Sequence, residues 1–303
     1  MSPVTVRVPG STSNCGAGFD TLGLALQIYN RVTLTPDVSL PAGTAKGERA
    51  SDERANGLVN EALAAWRERV AAAAELPGFR FRIEGDVPPA RGLGSSVTVI
   101  AGILGGVNHW AGEALTREEL AALITRLEGH PDNATAGVLG GFCVARCAPT
   151  PADYQGLVRI ELEDTLRFVV VSPVTEVATK ASRGVLPQEI SHLDAVRSVN
   201  SAAYLTAALA TKNYESLRGA VGDFLHEPYR LPGIVGAAEA IAAGVKAGAL
   251  CGWLSGSGSS VLCVGLVDTA AAVGDAMRSA FAAKGIDSAI NVLSADNHGL
   301  VVE

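Results

Sequence analysis

At 303 residues, with 48% hydrophobic and 18% charged side chains, the chain holds enough apolar material for packed cores, and its length suits two domains. A net charge of −7 with Lys and Arg scattered, and an aromatic share of 5%, exclude the basic patch and stacking surface of a nucleic-acid binder. No apolar run reaches the ~18 residues of a membrane span, and the 5 cysteines form no zinc pattern, so they read as free thiols of a soluble, cytoplasmic protein.

Val4, Val6 and Val8 alternate with polar neighbours as a first strand, with none of the cationic-then-apolar pattern of a signal peptide. Directly after it comes Pro9-Gly-Ser-Thr-Ser-Asn-Cys-Gly-Ala-Gly-Phe-Asp-Thr-Leu-Gly23. Gly16 and Gly18 let this backbone wrap a small ligand, with Asn14 and Asp20 inside the wrap. Asp20 can hold an ammonium group, accept a hydroxyl proton, or simply form a turn. Leu22–Leu34 continues as strand, residues 35–57 read as a polar loop or hairpin excursion, and Leu58–Ala74 has helical spacing. Phe79, Phe81 and Ile83 then alternate with charged residues as a half-buried strand.

The run Asp86-Val-Pro-Pro-Ala-Arg-Gly-Leu-Gly-Ser-Ser-Val-Thr98 follows, and a helix is expected over Ser95–Trp110. Strand, glycine turn and helix start form an arrangement that holds phosphate. The first helical amides lack intrahelical acceptors, and the helix dipole favours an anion there. No Gly-Lys-Ser/Thr follows, so this is no Walker loop. Thr116 with Glu119 forms a capping box for a helix through Leu127. Leu127-Glu-Gly-His-Pro-Asp-Asn-Ala134 then gathers four polar side chains where Gly129 and Pro131 end that helix. Glu128 suits a hard cation such as Mg²⁺; taken by themselves, His130, Asp132 and Asn133 read as capping and turn residues.

Gly140–Ala145 reads as a strand, and Ala148-Pro-Thr-Pro-Ala-Asp153 as the junction between domains 1–152 and 153–303. Beyond it come a strand at Leu166–Val171 and helices at Leu193–Ala210, Tyr214–His226 and Ile234–Lys246. Cys251–Val267 reads strand, turn, strand, with Leu254-Ser-Gly-Ser-Gly-Ser-Ser-Val261 fitting a hairpin as well as a ligand loop. A helix at Ala270–Ala283 and a strand at Ile286–Leu293 close an α+β chain.

Together these segments resemble the GHMP family of small-molecule kinases and, within it, the homoserine kinases. Pro88 through Val97 is similar to the phosphate-loop motif Pro-x-x-x-Gly-Leu-Gly-Ser-Ser-Ala, which marks the superfamily. Asn14, Gly16, Gly18, Phe19, Asp20, Leu22 and Gly23 match the more selective first segment. Glu128–Asn133, Thr179-Lys-Ala-Ser-Arg183, His226-Glu-Pro-Tyr-Arg230 and the 254–261 turn look like further family segments. Cys15, Ala17, Val97 and Ser259 depart from the usual residues without removing a charge, and no adenine contact is assigned from Gly57-Leu-Val59.

The resemblance implies an N-terminal ribosomal-S5-domain-2-like domain and a C-terminal ferredoxin-like domain with the site between them. It implies ATP held by Pro89, Ala90, Arg91, Gly92, Leu93, Gly94, Ser95 and Ser96, and Mg²⁺ held by Ser96 and Glu128. L-homoserine, the implied small-molecule partner, would meet Asn14, Asp20, Thr179, Arg183 and Arg230, with Asn133, His130 and Asp20 at the reacting hydroxyl. A homodimer is compatible with it. The alternatives are a kinase for another small alcohol such as mevalonate, or a non-catalytic ligand sensor on the same fold.

Overall fold

A computed structural model of the chain describes residues 1–70, 76–175 and 179–303, excepting the side chains of 179–181. β1 (Val4–Ser13) and β2 (Leu22–Pro36) pair antiparallel as the centre of a seven-stranded sheet. β4 (Phe79–Gly85) lies against β2, and β3 (Ala45–Gly47) runs parallel to β4 at the edge. β5 (Phe142–Cys147) pairs the start of β2, β6 (Tyr154–Ile160) pairs β5, and β11 (Val301–Val302) returns to β1. α1 (Ala50–Glu53), α2 (Asn56–Arg69), α3 (Ser95–Trp110), α4 (Arg117–Glu128) and α5 (Asp132–Leu139) belong to this half.

The second sheet is antiparallel in the order β10-β7-β9-β8. Its strands are β7 (Leu166–Pro173), β8 (Cys251–Leu254), β9 (Val261–Leu266) and β10 (Ser288–Leu293). α6 (Thr179–Gly184), α7 (His192–Ala210), α8 (Glu227–Arg230), α9 (Ala237–Lys246) and α10 (Ala270–Ala282) accompany it.

Period-two alternation explains the layering. Phe168 and Val170 of β7 face the first sheet, meeting Leu24, Leu26 and Phe142, while Val169 and Val171 face Ala240, Met277 and Phe281 of α9 and α10. On the far side of the first sheet, Val32, Leu34, Phe79 and Phe81 pack against Leu63, Trp66, Ile103 and Ile124. The layers therefore run helices, sheet, sheet, helices. A register shift between Pro9 and Gly10 divides β1 and β2. Beyond it Leu24 and Leu26 serve the inter-sheet core, while Val32 and Leu34 serve the helix-side core. Such a bulge re-aims a strand end, and the end it re-aims carries Ser11 and Ser13.

Three expectations are corrected. The Pro-rich stretch 148–153 is the turn of the β5–β6 hairpin, so the chain leaves the first sheet only after Ile160. Proline and glycine mark a turn, and a tight hairpin needs one as much as a linker does. The helix expected over Tyr214–His226 is a 3-10 turn at Tyr214–Leu217 followed by irregular chain. There the Asp223 carboxylate accepts the backbone N–H groups of Leu225, His226 and Glu227, at 2.8, 2.8 and 2.6 Å, competing with a helical ladder. The 35–57 excursion contains β3, α1 and the start of α2. The helix expected to Ala74 is described to Arg69, and 71–75 lie outside the described residues. The Thr116–Glu119 capping box stands as expected.

Candidate active site

A cavity of about 260 Å³ opens where the end of β1, the loop before α3, the start of α5, α6 and α8 converge. The phosphate-loop reading sets its first wall. Gly94 takes a left-handed conformation (φ 67°) at the N-cap of α3, and no side chain caps the helix. Among the described residues the first amides have no side-chain acceptor, and they border a cavity lined by Gly94, Ser95 and Ser96. Gly92 has φ 73°, and a Cβ there would lie 2.0 Å from the Ser255 carbonyl oxygen. Only glycine fits. The β8–β9 turn pins this loop: Ser255 Oγ donates to the Gly92 carbonyl at 2.7 Å, and Ser260 N–H donates to the Arg91 carbonyl at 3.2 Å. Residues 254–261 form a hairpin turn that braces the loop, and Gly256 and Ser257 of that turn also line the cavity.

Ala90 and Arg91 also line the cavity, and Arg91 Nη2 donates to the Val174 carbonyl at 2.6 Å. Pro89 and Leu93 do not line it. Leu93 is buried in the inter-sheet core, and its carbonyl accepts from Ser11 N–H at 3.1 Å, tying loop to strand.

The second wall is acidic. Glu128, at the end of α4, accepts from Ser96 Oγ at 3.0 Å. Burial pushes its pKa up despite nearby His130 and the Ser96 hydrogen bond. It forms no ion pair among the described residues. A half-buried carboxylate beside a hydroxyl, with no direct ion-pair partner among the described residues, is a pair of hard oxygen donors, and a divalent cation with phosphate oxygens fits it.

Asn133 stands in the first turn of α5, gripped at both ends of its amide. Its Oδ1 accepts from Ser11 Oγ at 2.8 Å, and its Nδ2 donates to Ser13 Oγ at 3.1 Å. His130 Nδ1 lies 2.6 Å from Asp132 Oδ1, both side chains being buried. Burial alone would lower the imidazole pKa, but the charge and hydrogen bond of Asp132 outweigh it and hold His130 up. Asp132 is lowered in return, against its own desolvation.

The third wall is cationic. Arg183 makes a two-point pair with Asp20, Nη1–Oδ2 at 3.0 Å and Nη2–Oδ1 at 2.7 Å. Burial works against the Arg183 guanidinium, yet the Asp20 bonds raise its pKa overall. Arg230 is 5% exposed and has no carboxylate partner within ion-pair reach among the described residues. Its Nε donates to the Ser182 carbonyl at 3.2 Å and its Nη1 to the Gly256 carbonyl at 3.3 Å. Burial and then the like charge of Arg183 lower its pKa. Asn14 donates to the same Gly256 carbonyl at 3.2 Å while its Oδ1 accepts from Asp20 N–H at 3.1 Å, bracing the turn that presents Asp20. The side chain of Thr179 lies outside the described residues.

The structure therefore brings Asn14, Asp20, the 90–96 loop, Glu128, His130, Asn133, Arg183 and Arg230 to one cavity. The direct Asp20–Arg183 pair was not legible in the sequence, because 163 positions separate the two residues. Nor was Asp132 as the partner of His130, although its i+2 spacing was a signal.

A loop of amides, a half-buried carboxylate beside a hydroxyl, and a buried cation with no carboxylate partner among the described residues, all in one small cavity, have the makings of a phosphotransferase site for a small anionic acceptor. Residues 57–141 match the family described as GHMP kinases N terminal domain. A homoserine kinase of Moorella thermoacetica is 39% identical over 98% of this chain and 99% of its own. One from Nostoc sp. is 38% identical over 99% of this chain and 98% of its own. The crystal structure of homoserine kinase from Cytophaga hutchinsonii superposes with a TM-score of 0.88 at 24% identity, covering 100% of this chain and 98% of that one, and shows the shared fold. The chain belongs to the homoserine kinase family of GHMP kinases.

Proposed function

We infer that the protein transfers the γ-phosphoryl group of ATP to the side-chain hydroxyl of L-homoserine, giving O-phospho-L-homoserine for threonine synthesis. The observation that carries the reading is Arg230, a buried guanidinium held by two carbonyls and His226 Nδ1, with no carboxylate partner among the described residues, and facing the cavity that also holds the α3 amides. An uncompensated buried cation invites an anion, and the α-carboxylate of an amino acid supplies one with geometry suited to an Arg fork.

Asp20, already shared with Arg183, takes the ammonium group, with Asn14 holding the backbone that presents it. The amides of 92–96 cradle the triphosphate. Ser96 and Glu128 would hold Mg²⁺, which would supply neutralisation of the phosphate charge. Asn133, clamped by Ser11 and Ser13, orients the acceptor hydroxyl. His130, whose cationic form the Asp132 carboxylate favours, stands beside Asn133 at the reacting hydroxyl. In a loose phosphoryl-transfer transition state the nucleophile needs little activation, so positioning and charge dominate and no strong base is required. Thr179 is proposed at the carboxylate side by its place in the Thr-Lys-x-x-Arg segment.

The test is a coupled ADP-release assay over L-homoserine, mevalonate and galactose. Turnover confined to L-homoserine is expected. Preferential turnover of mevalonate would move the chain to another branch of the superfamily, and no turnover of any alcohol would make it a ligand sensor.

A further inference from the structure

Three groups from three parts of the chain converge on one ring, that of Phe19 in the turn before Asp20. The His226 imidazole stacks on it with centroids 5.3 Å apart and planes 30° apart. The guanidinium carbons of Arg183 and Arg230 lie 5.3 and 5.1 Å from its centroid. Phe19 is partly exposed and lines the active-site cavity alongside both arginines.

Two guanidinium groups this close repel each other, which is part of why Arg230 is lowered. Asp20 steadies Arg183, whereas Arg230 is held from its edge by two carbonyls and by His226 Nδ1, 3.5 Å from its Nη1. His226 Nε2 donates to the Gly16 carbonyl at 2.8 Å, which leaves Nδ1 of the neutral ring as the acceptor facing Arg230. The charges of Asp20 and Asp132 favour both cations through space, and the negative face of the Phe19 ring is the surface that both guanidinium groups approach. An aliphatic side chain of similar volume would fill the space without supplying it.

We propose that Phe19 is a positioning residue that sets acceptor specificity: its ring gathers Arg183 and Arg230 into one convergent cationic clamp that reads the carboxylate of a compact amino-acid alcohol. Alcohols lacking that carboxylate gain nothing from the clamp. The inference rests on the kinase reading above, and its experiment separates the two.

Phenylalanine analogues carrying one, two and three fluorines at position 19 drain the ring face of electron density while nearly preserving its shape, so the fold is not at stake. Calorimetric Kd for L-homoserine, measured without nucleotide, and KM in the ADP assay should both rise stepwise with fluorination. The trifluoro ring is expected to cost about tenfold, in line with a partly desolvated cation–π contact. KM for ATP and kcat should stay within about twofold, Phe19→Tyr should restore wild-type values, and Phe19→Leu should match the trifluoro ring. A flat series, or equal rises in both KM values, overturns the positioning role. A graded Kd without turnover of L-homoserine would overturn the kinase reading and keep the clamp. Neither binding nor turnover would overturn both.

Discussion

Replacing Arg230 by lysine isolates the geometry of the proposed carboxylate clamp from its charge. In the structure the guanidinium spends Nε on the Ser182 carbonyl and Nη1 on the Gly256 carbonyl, and Nη1 also faces His226 Nδ1. Lysine keeps the charge, but its single ammonium cannot serve those carbonyls and grip a carboxylate in the same planar arrangement. The loss equals about one charge-assisted hydrogen bond, roughly 1.5–3 kcal/mol, or about 10- to 150-fold in affinity. KM for L-homoserine should therefore rise by that factor, while KM for ATP moves by less than about threefold, since the amides proposed to hold the phosphates are untouched. Steady-state kinetics with each substrate varied in turn, at saturating Mg²⁺, measures both. A homoserine KM within about threefold of wild type would remove Arg230 from the carboxylate and leave its burial without a functional reason. A parallel rise in the ATP constant would mean instead that the substitution disturbs the 255–260 turn and, through Ser255, the phosphate loop.

Glu128→Gln should raise the Mg²⁺ concentration needed for half-maximal rate and lower kcat by about 10- to 100-fold, read by titrating Mg²⁺ at fixed ATP; an unchanged titration removes Glu128 as a ligand. Gly92→Ala sets a Cβ 2.0 Å from the Ser255 carbonyl at a left-handed backbone position. It should cost about 2–4 kcal/mol in urea unfolding together with most activity, whereas a wild-type unfolding curve would contradict the close packing of the two loops. Glu227 donates nothing to the proposed chemistry. Burial pushes its carboxyl up to about 8, although its oxygen accepts from Leu254 N–H at 2.6 Å. Because the folded form holds a proton that the unfolded chain releases near its ordinary value, this contribution is full below about pH 4.5 and lost as pH rises through about 8. Urea unfolding at pH 5, 7 and 8.5 should show a fall of about 4 kcal/mol that Glu227→Gln flattens; equal pH dependence in the two proteins would assign the slope to other groups.

The sequence by itself determined the local chemistry. The glycine turn before α3, the capping box of α4 and the strand alternation at Phe79–Ile83 follow from steric freedom, capping and side-chain period, which act over a few residues. The candidate ligands were legible for the same reason, since each lies in a short run whose composition is unusual for a plain loop. Where local rules support two outcomes, the tertiary structure decided. Ala148–Asp153 forms a hairpin turn because residues 154–160 find partners on β5, and Asp223 unwinds the expected helix because its carboxylate reaches three amides. Only the folded chain brings Asp20 to Arg183, Ser255 to Gly92, and both guanidinium groups to the face of Phe19. Those partners lie many tens of residues apart. Packing one sheet on the other sets their distances, and no local pattern carries that information.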